Sequence, residues 1–218
     1  MKTVLLRLEG PLQSWGTQGR FGTRDTEREP SKSGVVGLVA AALGVPRDDD
    51  ETIRLLGRMP MAVRVDREGR VVSDYHTAGG GTFLGRPYAV YGTKTVPTTR
   101  YYLADASFLV GLGTEDDDLA DRVAGALENP RWPLFLGRRS CVPSLPVFAG
   151  VRTGDPAAVL ATIPPAEGSG GRRLRMVVET SEGSARQDVP ISFALYGRRH
   201  TRRIVSNVWI ELPQEKIE

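Results

Sequence analysis

Several stretches of this chain set hydrogen-bond donors, arginines and flat aromatic rings side by side. That combination suits a flexible polyanion with stackable bases. The first runs from Gly10 to Gly16 and holds Gln13, Ser14 and Trp15. A Trp at a strand end can stack a base and a Gln amide can read a base edge, although the same Trp can equally serve as a lid on a core. Next, Arg20, Arg24, Arg28 and Lys32 lead into Ser31-Lys32-Ser33. The free N–H groups of a helix N-terminus together with a lysine suit a phosphate, whereas a helix cap accounts for the serines alone. A third stretch, Tyr75 to Tyr101, mixes glycines with His76, Arg86, Tyr88, Tyr91, Lys94 and Arg100. It reads as a glycine-hinged hairpin able to reach over a strand, or as a plain exposed loop. A fourth, Leu136 to Pro143, contains Gly137, Arg138, Arg139 and Ser140. Glycine lets a ligand approach the backbone, and adjacent arginines can grip phosphates in bidentate fashion. The cluster from Arg198 to Arg203, between Tyr196 and Ile204, reads as a basic hairpin turn.

Other chemistries find little support. The chain has neither a G-x-x-x-x-G-K-S/T phosphate loop nor a G-x-S-x-G nucleophile elbow. Gly34-Val35-Val36-Gly37 falls inside a helical stretch and reads as packing. Cys141 is the only cysteine and reads as a small buried residue. With only His76 and His200 beside it, a Cys/His zinc site is excluded, and the residues imply no metal and no cofactor. His76 and Lys94, with Tyr75 or Tyr101, could form a metal-free general acid–base site for RNA cleavage, one group taking the 2′-OH proton and the other protonating the leaving oxygen.

Charge supports the polyanion. The net charge is only +3 with a pI near 9.2. Two acidic tetrads, Asp48 to Glu51 and Glu115 to Asp118, hold 8 of the 26 acidic residues, so the rest of the chain carries 29 basic against 18 acidic groups. Both tetrads read as helix openings, where carboxylates complement the dipole. Arg outnumbers Lys 25 to 4, which fits phosphate recognition and equally fits a genomic bias. A single cysteine suits a reducing cytoplasm. Arg7 and Glu9 interrupt the first apolar run too early for a signal peptide, and Gly34 to Val45 is too short to span a bilayer. The expectation is a cytoplasmic protein with no membrane contact.

The elements that must position these groups follow from periodicity. Val4 to Leu8 reads as a strand, then a long loop from Gly10 to Pro30 precedes a helix capped by serine at its start and by Gly44 at its end. That helix is apolar nearly all round and should be buried. A short helix over Asp48–Arg58 follows. Met61 to Asp66 and Arg70 to Tyr75 read as a hairpin joined at Arg67-Glu68-Gly69. Tyr101 to Leu112 is a strand, and a helix then ends near Asn129-Pro130. A short helix at Asp155–Thr162 precedes three strands, Arg173 to Thr180, Val189 to Tyr196 and Arg203 to Leu212. The order describes an α+β protein compatible with a ferredoxin-like split βαβ core carrying an inserted hairpin and a β-rich C-terminal part.

Taken together, LRLEGPLQSWG, RDTEREPSKSGVVGLVAAALG, RYYLADASFLVGL and LFLGRRSCVPSLP resemble the CasD family. This is the type I-E branch of the fifth numbered Cas family, within the RAMP superfamily. The resemblance implies an RRM-related core over residues 1–150, a thumb insertion at about 77–99 and a β-rich extension over 151–218. It also implies a non-catalytic, RNA-binding Cascade subunit that holds the 5′ handle of the mature CRISPR RNA in antiviral defence. Its partners would be the backbone subunit and the large PAM-reading subunit, with target DNA reached only through the assembled complex. Carried onto this chain, the handle-facing set is Gln13, Ser14, Trp15, Arg24, Ser31, Lys32, Ser33, His76, Arg86, Tyr101, Arg138, Arg139 and Ser140. A type I-C relative is a metal-independent repeat endoribonuclease, which keeps His76 and Lys94 open as a catalytic alternative. A module that binds only protein is the remaining reading.

Overall fold

The computed structural model describes residues 1–17, 22–78, 81–83, 86–88, 95–169, 171 and 173–211. Its first strand, β1 (Lys2–Glu9), buries Val4, Leu6 and Leu8 on one face and Leu5 on the other, as a central strand must. Two short strands follow, β2 (Leu12–Gln13) and β3 (Thr23–Arg24). Helix α1 (Lys32–Leu43) starts at Ser31, whose hydroxyl accepts from the Gly34 N–H, and stops at Gly44, which adopts φ 72° and returns its N–H to the last turn. The acidic tetrads open helices as expected. Asp49 accepts from Thr52 at the start of α2 (Asp50–Gly57), and Asp116 accepts from Leu119 at the start of α3 (Asp117–Glu128).

The long strands β4 (Met61–Arg67), β9 (Ser107–Thr114) and β10 (Phe148–Thr153) join β1 in the order β10-β1-β9-β4, all antiparallel. In chain order this is β1-α1-β4-β9-α3-β10, two interlocked split βαβ units, and the core is therefore ferredoxin-like. Helices α1, α2 and α3 pack one face through Val35, Val39, Ile53, Leu56, Ala120 and Val123.

Two expectations about pairing fail. The segments read as a hairpin do form strands, but β4 and β5 (Arg70–Ala78) do not pair. β5 crosses to β8 (Val96–Ala104), from Arg70 opposite Ala104 to Ala78 opposite Val96. Met61 to Asp66 are all buried and need neighbours on both sides, whereas Arg70 to Tyr75 are exposed and cannot sit inside a sheet. Gly69 makes the departure at φ 68°, where an added Cβ would lie 2.7 Å from the Ala104 carbonyl oxygen. Between β5 and β8 in sequence lies the small hairpin of β6 (Gly81–Phe83) and β7 (Arg86–Tyr88). In the tail, the first two expected strands are one bent strand, β11 (Arg173–Ser192), whose register with β12 (Arg199–Glu211) breaks at Glu179/Ser184, Arg186/Val189 and Pro190/Ser192. The basic run therefore lies largely in β12, and the turn is made by residues 193–198. β11 pairs with β4, so the hairpin extends the central sheet to six strands.

The second face of the sheet is closed by α4 (Pro156–Leu160) and the chain that follows it. Its strap is Arg64, which has no solvent exposure. The guanidinium donates to both Asp66 carboxylate oxygens, at 2.6 and 3.0 Å, and to the carbonyls of Leu160, Ile163 and Pro164. Asp66 in turn accepts from the Ala166 N–H at 2.9 Å. Arg64→Met leaves this carboxylate buried and uncompensated, so the unfolding free energy falls by about 3–5 kcal/mol. Urea denaturation reads the loss as a lower midpoint at unchanged slope.

Candidate nucleic-acid interface

The exposed side of α1 is the floor of a groove of about 1170 Å³. Gly34, Gly37 and Ala41 keep that side low, at helical spacings that place them on one face. One wall comes from the chain around Ser14–Thr17, Arg24 and Phe135–Arg139, the other from Gln187, Phe193, Arg198 and His200 at the β11–β12 turn. Trp132, Pro133 and Arg47 close the end beside the helix C-terminus, where the Trp132 N–H donates to the Ala41 carbonyl at 3.3 Å.

The structure brings together Ser14, Trp15, Arg24, Ser31, Ser33, Arg138 and Arg139 of the expected set. Several of them have structural duties. Trp15 is 1% exposed, and Gly34 packs so close to it that a Cβ would meet the indole at 2.8 Å. The indole N–H donates to the Gln13 Oε1 at 3.0 Å, while the Gln13 amide donates to the carbonyls of Leu8 and Ala106 at 3.0 and 2.8 Å. Trp15 is thus a lid on the core and Gln13 a buried tie between strands; neither presents a face or an edge to a base. The Ser14 hydroxyl donates to the Tyr101 carbonyl. Gly137, at φ 91°, fits against the Ser14 carbonyl with no room for a Cβ, so its role is packing rather than ligand approach.

Lys32 departs furthest from expectation. It is 2% exposed, and its Nζ sits 2.8 Å from Glu179. The helix N-terminus above it is also taken, because the Lys32 backbone N–H donates to Asp188 Oδ2 at 2.8 Å. Asp188 receives a bidentate grip from Arg203 at 2.7 and 2.9 Å, and Arg203 also reaches Glu179 at 3.1 Å. The chain supplies its own anion there, so this is no phosphate site. Burial pulls the Lys32 ammonium pKa below its ordinary value against the opposing pull of Glu179. Burial raises the Asp188 pKa, but the hydrogen bonds and charge of Arg203, with the Lys32 N–H, outweigh it and hold the carboxyl below the usual carboxylate range.

Arg138 is likewise committed. Its fork donates to the carbonyls of Tyr101, Arg24 and Asp25, and it lies 4.7 Å over the Tyr102 ring. It welds the β3 region to β8. Ser140 and Arg139 are exposed. His76 is on β5, outside the groove lining, with Nε2 2.7 Å from Asp74. Arg86 lies on β7, and Lys94 lies outside the described residues.

What remains available is a set of arginines, Arg24, Arg47, Arg139 and Arg198, which line the groove and have no carboxylate partner among the described residues. Arg47 and Trp132 carried no regular sequence signal beyond a basic residue after a helix stop and a tryptophan among prolines. Beside Arg198, His200 is pushed to lower pKa by burial first and by that arginine's charge second.

A ferredoxin-like core, an inserted hairpin and a basic groove along the first helix define a protein of the RAMP type. The family model of the CRISPR-associated protein (Cas_Cas5) matches residues 3–206, and the chain belongs to that family. It is 38% identical over 179 residues to the CRISPR system Cascade subunit CasD of Escherichia coli (strain K12), covering 76% of this chain and 78% of that one. Among solved structures it resembles a chain of a CRISPR RNA-guided surveillance complex, with TM-score 0.81, 38% identity, and coverage of 97% of this chain and 91% of that one. A crystal structure of a Cas protein matches with TM-score 0.75, 36% identity and coverage of 98% of each chain.

The Asp188 cluster makes stability depend on acid. Because its folded pKa is depressed, its contribution is fully present above the unfolded Asp value near 3.9 and is lost as pH falls through the lower folded value. Asp188→Asn therefore destabilises by roughly 3–5 kcal/mol at pH 7. In thermal melts compared across pH, the gap to the parent narrows only below about pH 4.

Proposed function

We propose that this chain is an RNA-binding subunit of a type I-E CRISPR Cascade complex, where it caps and holds the 5′ handle of the mature CRISPR RNA. The observation that carries this reading is the set of arginines along the groove that have no carboxylate partner among the described residues. Inside the same fold, Arg64, Arg138, Arg175 and Arg203 all have acceptors. Arg24, Arg47, Arg139 and Arg198 are therefore free to exchange counterions for phosphates. Family membership and a relative named as a Cascade subunit point the same way.

The grip is distributed and electrostatic, so it needs neither metal nor cofactor. Arg139→Lys keeps its charge and leaves binding largely intact. Neighbours in the assembly are the backbone subunit, met by the β5–β8 ribbon with its exposed Val71 and Tyr75, and the large PAM-reading subunit; target DNA is reached only through the complex. The subunit acts in the cytoplasm and catalyses no cleavage. His76 supports that last point, since it pairs with Asp74 on a half-exposed strand outside the groove.

Pull-down of the tagged chain from its host should recover RNAs with one shared repeat-derived 5′ handle followed by varied spacers. RNA without a common 5′ end would sink the capping role. The triple variant R47A/R139A/R198A should flatten the dependence of log affinity on log salt by about 0.7 per lost phosphate contact, roughly two in all. A slope equal to the parent's would favour a protein-only interaction module. Repeat RNA incubated with the pure chain in EDTA should stay intact, whereas a discrete product abolished by His76→Ala would establish the endoribonuclease alternative.

A further inference from the structure

We infer that Trp132 is the stacking platform of the groove, taking one unpaired nucleobase of the bound strand against its indole face; the inference rests on the RNA-binding reading above. The tryptophan first suited to that task by sequence, Trp15, is sealed in the core. Trp132 is the reverse case, 44% exposed in a residue type that folding normally covers.

Its exposure is built rather than accidental. The Trp132 and Arg131 N–H groups donate to the Ala41 and Ala42 carbonyls of α1, at 3.3 and 2.9 Å, and Pro133 follows directly. These bonds pin the backbone to the end of a capped, buried helix, so the ring sits on a rigid mount. A platform fixed before binding loses little freedom when a base arrives.

Its place also fits a base. Trp132 closes the groove at the helix C-terminus, in the lining that includes Arg47 and Arg139, which have no carboxylate partner among the described residues. A single strand alternates phosphate and base. Cations that track the backbone therefore need a flat apolar surface within the same channel, and indole provides one without regard to base identity. Pro133, Phe135 and Ala41 give the surface beside Trp132 an apolar character that suits stacking, while Arg47 at the same end supplies charge for a phosphate.

The test titrates the full chain with oligoadenylate and with an abasic ribose-phosphate oligomer of equal length and charge. The parent should prefer oligoadenylate by about 5- to 150-fold, the range of one base–aromatic stack. Trp132→Ala should bind both oligomers at the abasic level, and Trp132→Phe should keep most of the preference. Tyr196→Ala serves as control, since Tyr196 is 91% exposed yet does not line the groove, and it should behave as the parent. A base preference that survives in Trp132→Ala, or an equal loss for both oligomers, overturns the platform. If R47A/R139A/R198A fails to weaken either oligomer, the RNA reading itself falls, whatever Trp132 does. A parent that binds neither oligomer overturns both.

Discussion

The carboxylate of Asp188 lies where three parts of the chain meet. It neutralises the N-terminus of α1, it is gripped on both oxygens by Arg203 of β12, and it belongs to β11. Glu179 extends the contact by receiving both Lys32 and Arg203. A second group lies beside it, where Glu29 holds Arg175 and Arg186. Charges this deeply buried are tolerated only when every partner is present. The cluster therefore admits one placement of the C-terminal hairpin against the first helix. The groove is the space left between that hairpin and the segment around Arg138, so its width follows from the cluster.

Arginine serves two separate ends in this fold. Where an arginine has acceptors, it builds. Arg64 straps α4 to the sheet, Arg138 welds β8 to the segment behind β3, and Arg203 locks the hairpin. The planar fork suits each of these tasks because several carbonyl or carboxylate oxygens must be met at once. The groove arginines without a carboxylate partner among the described residues, Arg24, Arg47, Arg139 and Arg198, instead face water and keep their hydration and their counterions. Such a group adds little to folding, yet it can yield counterion entropy when a phosphate arrives. On the RNA-binding reading proposed above, two populations of one residue type divide stability from binding.

Local signals made much of the fold legible. The serine cap, the glycine stop and the all-round apolar character of α1, the carboxylates that open α2 and α3, and most strand segments follow from neighbours within a few residues, but Tyr101 to Leu112, expected as one strand, is divided at Asp105 (φ 59°) between β8 and β9 in separate sheets. Pairing was not local. Nothing near Gly69 announces that β5 will leave β4 for β8, and the bent β11 reads as two strands because its bulges interrupt the alternation. The surroundings of several expected site residues were hidden for the same reason. Lys32 looks like a phosphate ligand until Asp188 and Glu179 appear, 156 and 147 positions away. Gln13 looks like a base reader until the carbonyl of Ala106 claims it. A polar side chain cannot be assigned to a ligand before its distant partners are known.

On the proposed reading, the same logic spreads binding in the groove over many residues. Any cation placed deep enough to grip a phosphate strongly would first have to stay unpaired in a low-dielectric interior, at a cost of several kcal/mol. The fold avoids this by giving its buried cations internal anions, while Arg24, Arg47, Arg139 and Arg198 stay at the groove margin. Each marginal contact is weak and screened, so retention of a strand requires several of them at once, with an apolar surface for the bases between. A rigid floor makes those contacts simultaneous. The capped helix α1, held at its start by Asp188 and touched at its end by the Arg131–Trp132 backbone, provides that floor.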